Sequence, residues 1–458
     1  MTFSLLMAAI GIAILLVLVL RQKMPAFLAL ILVSLLVGLM TGMDPMSVLD
    51  SVKNGMGGTL GFVAVVVGLG AMFGALLEHA GGLEAISSRL LKRFSEDRAG
   101  WALGLVGFLV AIPVFFDVAF IMLVPLIQKL SRKTGKALLT YALPLLAGLA
   151  VTHAFVPPTP GPIAVAELLS ADLGLVIFFG FIAGLPALIL GGPILAKFYK
   201  NTPAMTDEPI FSAPSGASSI GFGHAVFAVA MPLVLILLST FQKIDPASLN
   251  TESGFGRLMN FLIVEDAGWQ TFFQFIGHPF TALSIACIYV YIAFGLMRRV
   301  PRDEIGQIMT KSLEPAGVVV LITGAGGVFK QVLIDSGVGQ DLAAAVSATG
   351  MPIIFFAFIV AFLVRVAQGS ATVAMITAAG LTAPVAAVAG LSPADTALAV
   401  IAIASGASMT SHVNDSGFWL VNQYLGQTPQ ETLRSWTVAT TVIGLTGLVV
   451  TLTLSVFV

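Results

Sequence analysis

Charged residues are scarce in this sequence. Only 10% of its 458 residues are Asp, Glu, Lys or Arg, whereas soluble domains average roughly 25%. Hydrophobic residues make up 57% of the chain, and the mean hydropathy is +1.01. So few charged groups cannot cover a water-exposed surface. The composition therefore excludes a soluble protein and any separate soluble domain.

Cysteine is almost absent as well. Cys287 is the single cysteine and lies in an apolar run, which excludes disulfides and thiolate metal sites. We accordingly expect no metal, no cofactor and no nucleic-acid partner. The expected partners are membrane lipid and a small organic solute.

Long apolar runs fill the chain instead. A membrane-spanning helix needs about 20 mainly apolar residues, and about ten such runs follow one another. The first run, 3–20, has its basic residues after it, at Arg21 and Lys23, which is the reverse of a signal peptide. We therefore predict an all-α polytopic membrane protein that retains its first span.

The positions of Lys and Arg predict the arrangement of the spans, because these residues concentrate in cytoplasmic loops. The run 100–128 obeys this rule only if it enters the membrane and returns as a re-entrant hairpin, with its tip near 112–117. The resulting layout makes 351–387 a second hairpin and puts the N-terminus in the periplasm. It leaves only three basic residues outside: Lys53, Lys243 and Arg257.

Three short segments recur at nearly one spacing, which indicates an internal repeat. Chance similarity between helices rich in Gly, Ala and Val is the alternative. The topology makes the second unit the mirror image of the first, and such inverted repeats place a transported substrate at their interface near the bilayer midplane. The matching pairs are 70–82 with 324–339, 117–121 with 372–376, and 152–155 with 411–414.

This repeat predicts a division of the chain into four parts, and each of the two repeats should hold one re-entrant hairpin and one broken transmembrane helix. The predicted parts are 1–56, an N-terminal two-helix segment; 57–200, the first repeat; 201–311, a linker loop with connecting helices; and 312–458, the second, inverted repeat with a final helix.

Two polar or proline-rich stretches mark the helix breaks. In HAFVPPTPGPIA (153–164) the prolines cannot continue a helix. A helix restarting after Gly161 would point its free amides and positive dipole end at an anion; a simple kink is the alternative. The counterpart SGASMTSHVNDSGFW (405–419) is too polar for lipid, although a packed polar network between helices also explains it. Together the breaks predict an anion site.

Two cations fall inside the predicted membrane region, where charge is costly and usually functional. Arg365 precedes the second hairpin tip, and its planar guanidinium suits a carboxylate. A structural pair with Asp415 or Asp117 is the alternative. Lys330 lies near Asp335 in sequence and either serves the site or extends outward to the membrane surface.

Four residues, two aspartates and two histidines, are candidates for carrying a proton. Asp117 lies at the first hairpin tip in an apolar setting that favours its neutral form, unless it pairs permanently with Arg365. His153 and His412 occupy equivalent repeat positions, and histidine titrates in the useful pH range. A lone histidine is nevertheless often a packing residue. Asp415 is the remaining candidate.

At these residues the chain resembles the gluconate permease family, proton-coupled transporters of sugar acids and related hydroxy acids. The family is similar to a wider superfamily of ion transporters with paired re-entrant hairpins and often dimeric assembly. The resemblance covers the chain from the first span to the last. Its segments are GGTLGF (57–62), FFDVAF (115–120), THAFVPPTPGP (152–162), GGVFKQVLIDSGV (326–338), GSATVAMITA (369–378) and SHVNDSGFW (411–419).

The resemblance implies a secondary active transporter, not an enzyme, that imports gluconate or a related sugar acid by proton symport and alternating access across a bacterial inner membrane. D-serine, glycerate and lactate are alternative substrates. Sodium bound near Ser370 and Thr372 is an alternative coupling ion. An intramembrane enzyme using His412 and Asp415 is disfavoured because no nucleophile signature accompanies them.

The candidate site follows from the motifs and the resemblance together. Lys330, Arg365 and His412 match gluconate-type members, whereas these members often have histidine in place of Thr159 and glutamate in place of Asp117. The predicted substrate-binding residues are Arg365, Lys330, Ser370, Thr372, Thr159, Gly161, His412, Asn414 and Ser416. The predicted proton-coupling residues are Asp117, His153 and Asp415.

Overall fold

The regular secondary structure of the protein is helical, and no strand occurs in the part of the chain that the structure describes. Seven helices are long and apolar enough to span a membrane, or nine if each of two bent pairs counts as one span. The predicted all-α polytopic class is therefore confirmed. The computed structural model describes residues 3–95, 98–200, 220–243, 263, 266–298 and 300–458.

The first half of the chain consists of an N-terminal helix pair and a first unit of helices. Asp44 begins this unit by accepting hydrogen bonds from the amides of Met46 and Ser47, at 3.0 and 3.2 Å. The helices are α1 (Phe3–Leu20), α2 (Ala26–Met40), α3 (Pro45–His79), α4 (Gly82–Arg93), α5 (Ala99–Val110), α6 (Phe116–Thr134), α7 (Leu139–Phe155), α8 (Pro160–Leu169) and α9 (Leu173–Ile189).

The second half consists of three connecting helices and a second unit. Parts of the predicted linker 201–311 lie outside the described residues. The helices are α10 (Phe222–Phe241), α11 (Ala267–Ile276), α12 (Pro279–Arg298), α13 (Arg302–Asp335), α14 (Val338–Ala348), α15 (Ile353–Gln368), α16 (Ala371–Ala389), α17 (Pro393–Ser408), α18 (Ser416–Tyr424) and α19 (Pro429–Leu454).

The two units repeat one order of helices. Each has a long helix, a short helix, a hairpin and a broken helix, from α3 to α8 and from α13 to α18. Gly81 and Gly337 turn the chain between the first two helices of each unit with φ of 71° and 74°, which glycine adopts without steric cost. The predicted repeats, hairpins and broken helices are confirmed.

The hairpin tips and helix breaks lie close to their predicted places. The first hairpin turns at 111–115, between α5 and α6, and the second turns at Gly369 and Ser370. The first break separates Phe155 from Pro160, and the second separates Ser408 from Ser416. Each feature interrupts the regular hydrogen bonding of a helix, so its polar groups are free to make other contacts.

Several helix boundaries differ from the sequence prediction. The helices α3 and α13 begin well before the apolar runs at 58–78 and 315–335, because polar residues continue both helices beyond these runs. The apolar run at 273–297 falls in two helices, α11 and α12, which are bent by 63° relative to each other. Pro279 begins the second of them and has no amide hydrogen to continue the first. The four-part division of the chain stays a prediction.

The long helices α3 and α13 lie along each other. Helices α1 and α2 cover the second unit, and α10 and α12 cover the first. In each unit the first hairpin arm packs on the broken helix through a glycine. A Cβ added to Gly148 of α7 would lie 2.3 Å from the Gly104 oxygen, and one added to Gly406 of α17 would lie 2.3 Å from the Phe358 oxygen.

We expect Gly406→Ala to destabilise the protein by about 1–3 kcal/mol, since its methyl group meets backbone that must shift. Gly306→Ala is the matched control, because no heavy atom lies within 4 Å of its added Cβ. Thermal unfolding of the purified protein in detergent measures both changes. Equal unfolding temperatures for the two variants would contradict the close approach of α15 and α17.

Candidate functional site

The second hairpin meets the second break at a buried ion pair. Arg365, in the last turn of α15, is 4% exposed, and Asp415, just before α18, is 7% exposed. The Arg365 Nη2 atom donates to Asp415 Oδ2 at 2.5 Å, and Nε donates to the Met409 oxygen at 3.4 Å. Arg365 Nη1 is buried and has no hydrogen-bond partner among the residues that the structure describes. The pair thus neutralises both charges but leaves one guanidinium donor unsatisfied.

Asp415 has further bonds that fix the second break. Its Oδ1 accepts from the Gly417 amide at 3.0 Å, which caps α18. Its Oδ2 also accepts from the Ser411 hydroxyl at 2.5 Å. Because the carboxylate is held by three donors, it serves as the anchor of the break. Of the two partners considered for Arg365, the structure selects Asp415 and not Asp117.

Asn414 connects the same break to the second hairpin tip. Its side-chain amide donates to the Val366 and Ala367 oxygens at 2.9 and 3.4 Å, carbonyls that the end of α15 leaves without helical partners. His412 Nδ1 lies 3.0 Å from the Thr410 oxygen. Ser416 is exposed beside them. The structure therefore brings these predicted residues together around the ion pair.

The start of α16 offers backbone donors next to Arg365. Ser370 precedes the helix and accepts from the Val373 amide at 3.4 Å. The first amides of a helix have no acceptor within it and carry the positive end of its dipole. Ser370 and Thr372 are half-buried, and no proline occurs in this turn. This helix start therefore suits an anion.

The start of α8 is a poorer anion site than the sequence predicted. The helix begins at Pro160 and not after Gly161. Because Pro160 and Pro162 lack amide hydrogens, Gly161 supplies the only N–H among the first three residues. The Thr159 hydroxyl donates to the Val156 oxygen at 2.8 Å. Gly161 lies against Met375 of the second hairpin, where an added Cβ would be 3.0 Å from the sulfur.

The first hairpin tip packs on the first break around His153. The Thr152 hydroxyl donates to the Phe108 oxygen at 2.8 Å, which joins α7 to the end of α5. His153 lies beside Phe115, with ring centroids 6.3 Å apart, and its Nδ1 is buried without a hydrogen-bond partner. A cavity of about 20 Å³ separates the tip from the break, enough for about one water molecule.

Asp117 is the exposed acid of the site. It lies in the first turn of α6, where its charge complements the helix dipole. Within the described chain it makes no ion pair and no side-chain hydrogen bond, but its charge interacts with that of Asp415. The two acids come from different repeats. The first hairpin tip thus lies near the second break.

Lys330 has a different neighbour from the one its sequence position indicated. Asp335 accepts from Ser51 at 2.6 Å and from Gln331 at 2.9 Å. The charge of Lys330 interacts instead with Glu167 near the end of α8. The structure shows no contact between Lys330 and the Arg365–Asp415 pair in the residues it describes. Glu167 belongs to none of the motifs from which the site was predicted.

Sequence reasoning also missed two residues beneath the ion pair. Ser411 is fully buried and accepts from the Trp436 indole nitrogen at 2.9 Å. Trp436 stacks on Phe116 of the first hairpin, with ring centroids 5.7 Å apart. Ser411 stands within the SHVND segment, but a serine in a polar stretch gives no sign of its partner. Only the fold brings α19 beneath the break.

We expect Asp415→Asn to destabilise the protein by about 3–5 kcal/mol, because it leaves the Arg365 charge buried without a counter-charge. The double variant Arg365→Gln with Asp415→Asn should recover part of this loss. Asp303→Asn, at an exposed acid in the first turn of α13, is the control. Denaturant unfolding in detergent compares them. The ion pair is structurally unimportant if Asp415→Asn and Asp303→Asn unfold alike.

Paired hairpins and broken helices that meet at a buried charge pair define a polytopic membrane transport protein. The fold is similar to that of the YdaH transporter of Alcanivorax borkumensis, with a TM-score of 0.68 at 16% identity over 94% of this chain and 98% of that one. A family model described as GntP family permease matches residues 3–457. The chain belongs to the GntP family of permeases, so it is a transporter and not an enzyme.

Relatives named as gluconate or L-idonate carriers match nearly the whole chain. The low-affinity gluconate transporter of Escherichia coli K12 is 39% identical over 98% of both proteins. The gluconate permease of Pseudomonas aeruginosa is 37% identical over 99% of this chain and 98% of its own. The Gnt-II system L-idonate transporter of Escherichia coli K12 is 36% identical over 97% of both. The gluconate permease resemblance is confirmed.

Proposed function

We propose that this protein imports gluconate or a related sugar acid by proton symport, with alternating access about the interface of its repeats. The observation that carries this proposal is the buried, unpartnered Nη1 of Arg365 at the meeting of hairpin and break. A guanidinium N–H is a strong donor to a carboxylate. The relatives named for gluconate and L-idonate support a sugar acid as the substrate class.

In this proposal the substrate carboxylate binds Arg365 Nη1 and the first amides of α16, next to Ser370 and Thr372. The substrate hydroxyls bind the polar side chains of the second break, His412, Asn414 and Ser416. Thr159 and Gly161 face the substrate from the first break. Lys330, which lies beside Glu167 and away from the ion pair, acts on the anion along its path to the site.

Asp117 is the proposed proton carrier, because it is exposed at a hairpin tip and has no ion-pair partner in the described part of the chain. His153 is the second candidate through its unpartnered Nδ1. Asp415 holds Arg365, so its proposed role is structural as well as electrostatic. An inward proton offsets the cost of importing an anion against the membrane potential, about 2.3 kcal/mol per charge per 100 mV.

Alternating access is proposed to occur by movement of the two hairpins against the broken helices. The proposed location is a bacterial inner membrane, with the N-terminus in the periplasm and two copies forming a homodimer. Sodium is the alternative coupling ion, with Ser370 and Thr372 as its ligands. D-serine, glycerate and lactate are the alternative substrates.

Proteoliposomes with an imposed inward proton gradient and no sodium should accumulate radiolabelled gluconate. Unlabelled gluconate in excess should block this uptake, and D-serine should not. A dependence of uptake on added sodium at fixed pH would contradict proton coupling. Absence of gluconate uptake, together with uptake of labelled D-serine, glycerate or lactate under the same gradient, would contradict the proposed substrate.

Asp117→Asn should abolish accumulation driven by the proton gradient, since an amide cannot take up and release a proton. The same variant should still exchange labelled for unlabelled gluconate across the membrane when no gradient is applied. Asp303→Asn is again the control and should retain both activities. Gradient-driven accumulation by Asp117→Asn at the wild-type level would rule out Asp117 as the proton carrier.

A further inference from the structure

Ser411 occupies the centre of a hydrogen-bond chain behind the ion pair. Its hydroxyl donates to Asp415 Oδ2 at 2.5 Å and accepts from Trp436 Nε1 at 2.9 Å. Its backbone amide donates to the Thr440 hydroxyl at 3.0 Å, and its carbonyl accepts from the Thr437 hydroxyl. Three side chains of α19 therefore hold one residue of the second break.

The direction of the Ser411 hydroxyl follows from this arrangement. An indole N–H is only a donor, so it occupies a lone pair of the hydroxyl oxygen. The hydroxyl hydrogen is then available for the carboxylate, and a hydroxyl bond to a charged oxygen is short and strong. Trp436 thus orients Ser411, and Ser411 orients the Oδ2 atom that Arg365 also binds.

Trp436 also connects this chain to the other repeat. The residue is 3% exposed, and its ring stacks on Phe116 with an interplanar angle of 22°. Phe116 begins α6 and directly precedes Asp117. The contacts therefore run without interruption from the first hairpin tip, through α19 and the second break, to Arg365 at the second hairpin tip.

We propose that Ser411 and Trp436 are positioning residues that hold Asp415, and through it Arg365, in the orientation that receives the substrate carboxylate. This inference rests on the proposed function of Arg365. Neither residue touches the substrate. Their effect is to keep the unpartnered Nη1 of Arg365 in one place, because a guanidinium is planar and its Nη2 bond sets the direction of Nη1.

A role in positioning is distinguishable from a role in folding. Loss of orientation at Arg365 weakens substrate binding and raises KM. Loss of folded protein lowers only the maximal uptake rate per vesicle. Ser411→Ala removes both bonds of the hydroxyl, and Trp436→Phe keeps an aromatic ring against Phe116 while it removes the indole donor. Both variants should affect Arg365 through the same series of hydrogen bonds, from Trp436 to Ser411 and from Ser411 to Asp415.

The experiment measures initial uptake of radiolabelled gluconate into proteoliposomes over a range of concentrations. Ser411→Ala and Trp436→Phe should each raise KM, the former by roughly tenfold, as expected when a bond to a charged group is lost. The double variant should be no worse than Ser411→Ala, since coupled residues are not additive. If Ser411→Ala does not fold, Trp436→Phe alone carries the KM test.

Two matched controls remove the same groups elsewhere. Ser34→Ala acts on a buried hydroxyl that bonds only within α2, to the Leu30 oxygen. Trp101→Phe acts on an indole that is 42% exposed. Both should keep the wild-type KM. An unchanged KM in Ser411→Ala and Trp436→Phe, or strictly additive effects in the double variant, would overturn the proposal.

Failure of the proposed substrate is detected separately. If the wild-type protein takes up D-serine and not gluconate, the proposed function is wrong. The same variants are then measured with D-serine, which also carries a carboxylate. A raised KM for D-serine in Ser411→Ala would still support positioning, and an unchanged KM would overturn it.

Discussion

The site depends on the attraction between Arg365 and Asp415. A charge removed from water is tolerated only when it is paired and hydrogen-bonded, and here the pair joins the end of α15 to the start of α18. Because Asp415 also caps α18, the same carboxylate holds the hairpin, the break and the following helix in one arrangement. That arrangement leaves Nη1 of Arg365 buried without a partner. The structural role of the pair and its proposed role in binding therefore arise from one geometry.

The two repeats share their helix order but differ in chemistry. The first break is rich in proline and poor in amide donors, whereas the second is polar and contains the ion pair. Asp117 stands where the second repeat has Thr372, in the first turn of the equivalent helix. An acid in one hairpin and a hydroxyl in the other fit the proposed roles of the two repeats. In these roles the first repeat carries the proton, and the second binds the anion. Trp436, stacked on Phe116 and bonded to Ser411, is one of the contacts that link the two repeats, and it joins the first hairpin tip to the second break.

Local signals in the sequence predicted most of the fold. Prolines at 157–162 and the polar run 405–419 interrupt their helices through local chemistry. The distribution of basic residues required a re-entrant hairpin at 100–128, and the structure contains one there. The full length of α3 was not predicted, because the helix continues through Asp50 and Lys53. A search for apolar runs treats these charged residues as part of a loop. The partner of Arg365 also could not be chosen from sequence, since Asp117 and Asp415 satisfied the same electrostatic requirement. Electrostatic interactions such as that of Lys330 with Glu167 join distant segments, and no local pattern in the sequence indicates them.

In the proposed mechanism the Nη1 atom of Arg365 donates to the substrate carboxylate. A structure of the purified protein with gluconate bound tests it most directly. We expect a carboxylate within hydrogen-bond distance of Arg365 Nη1 and the first amides of α16, with Asp415 still bonded to Nη2. Gluconate bound away from Arg365, with the ion pair unchanged, would contradict the account.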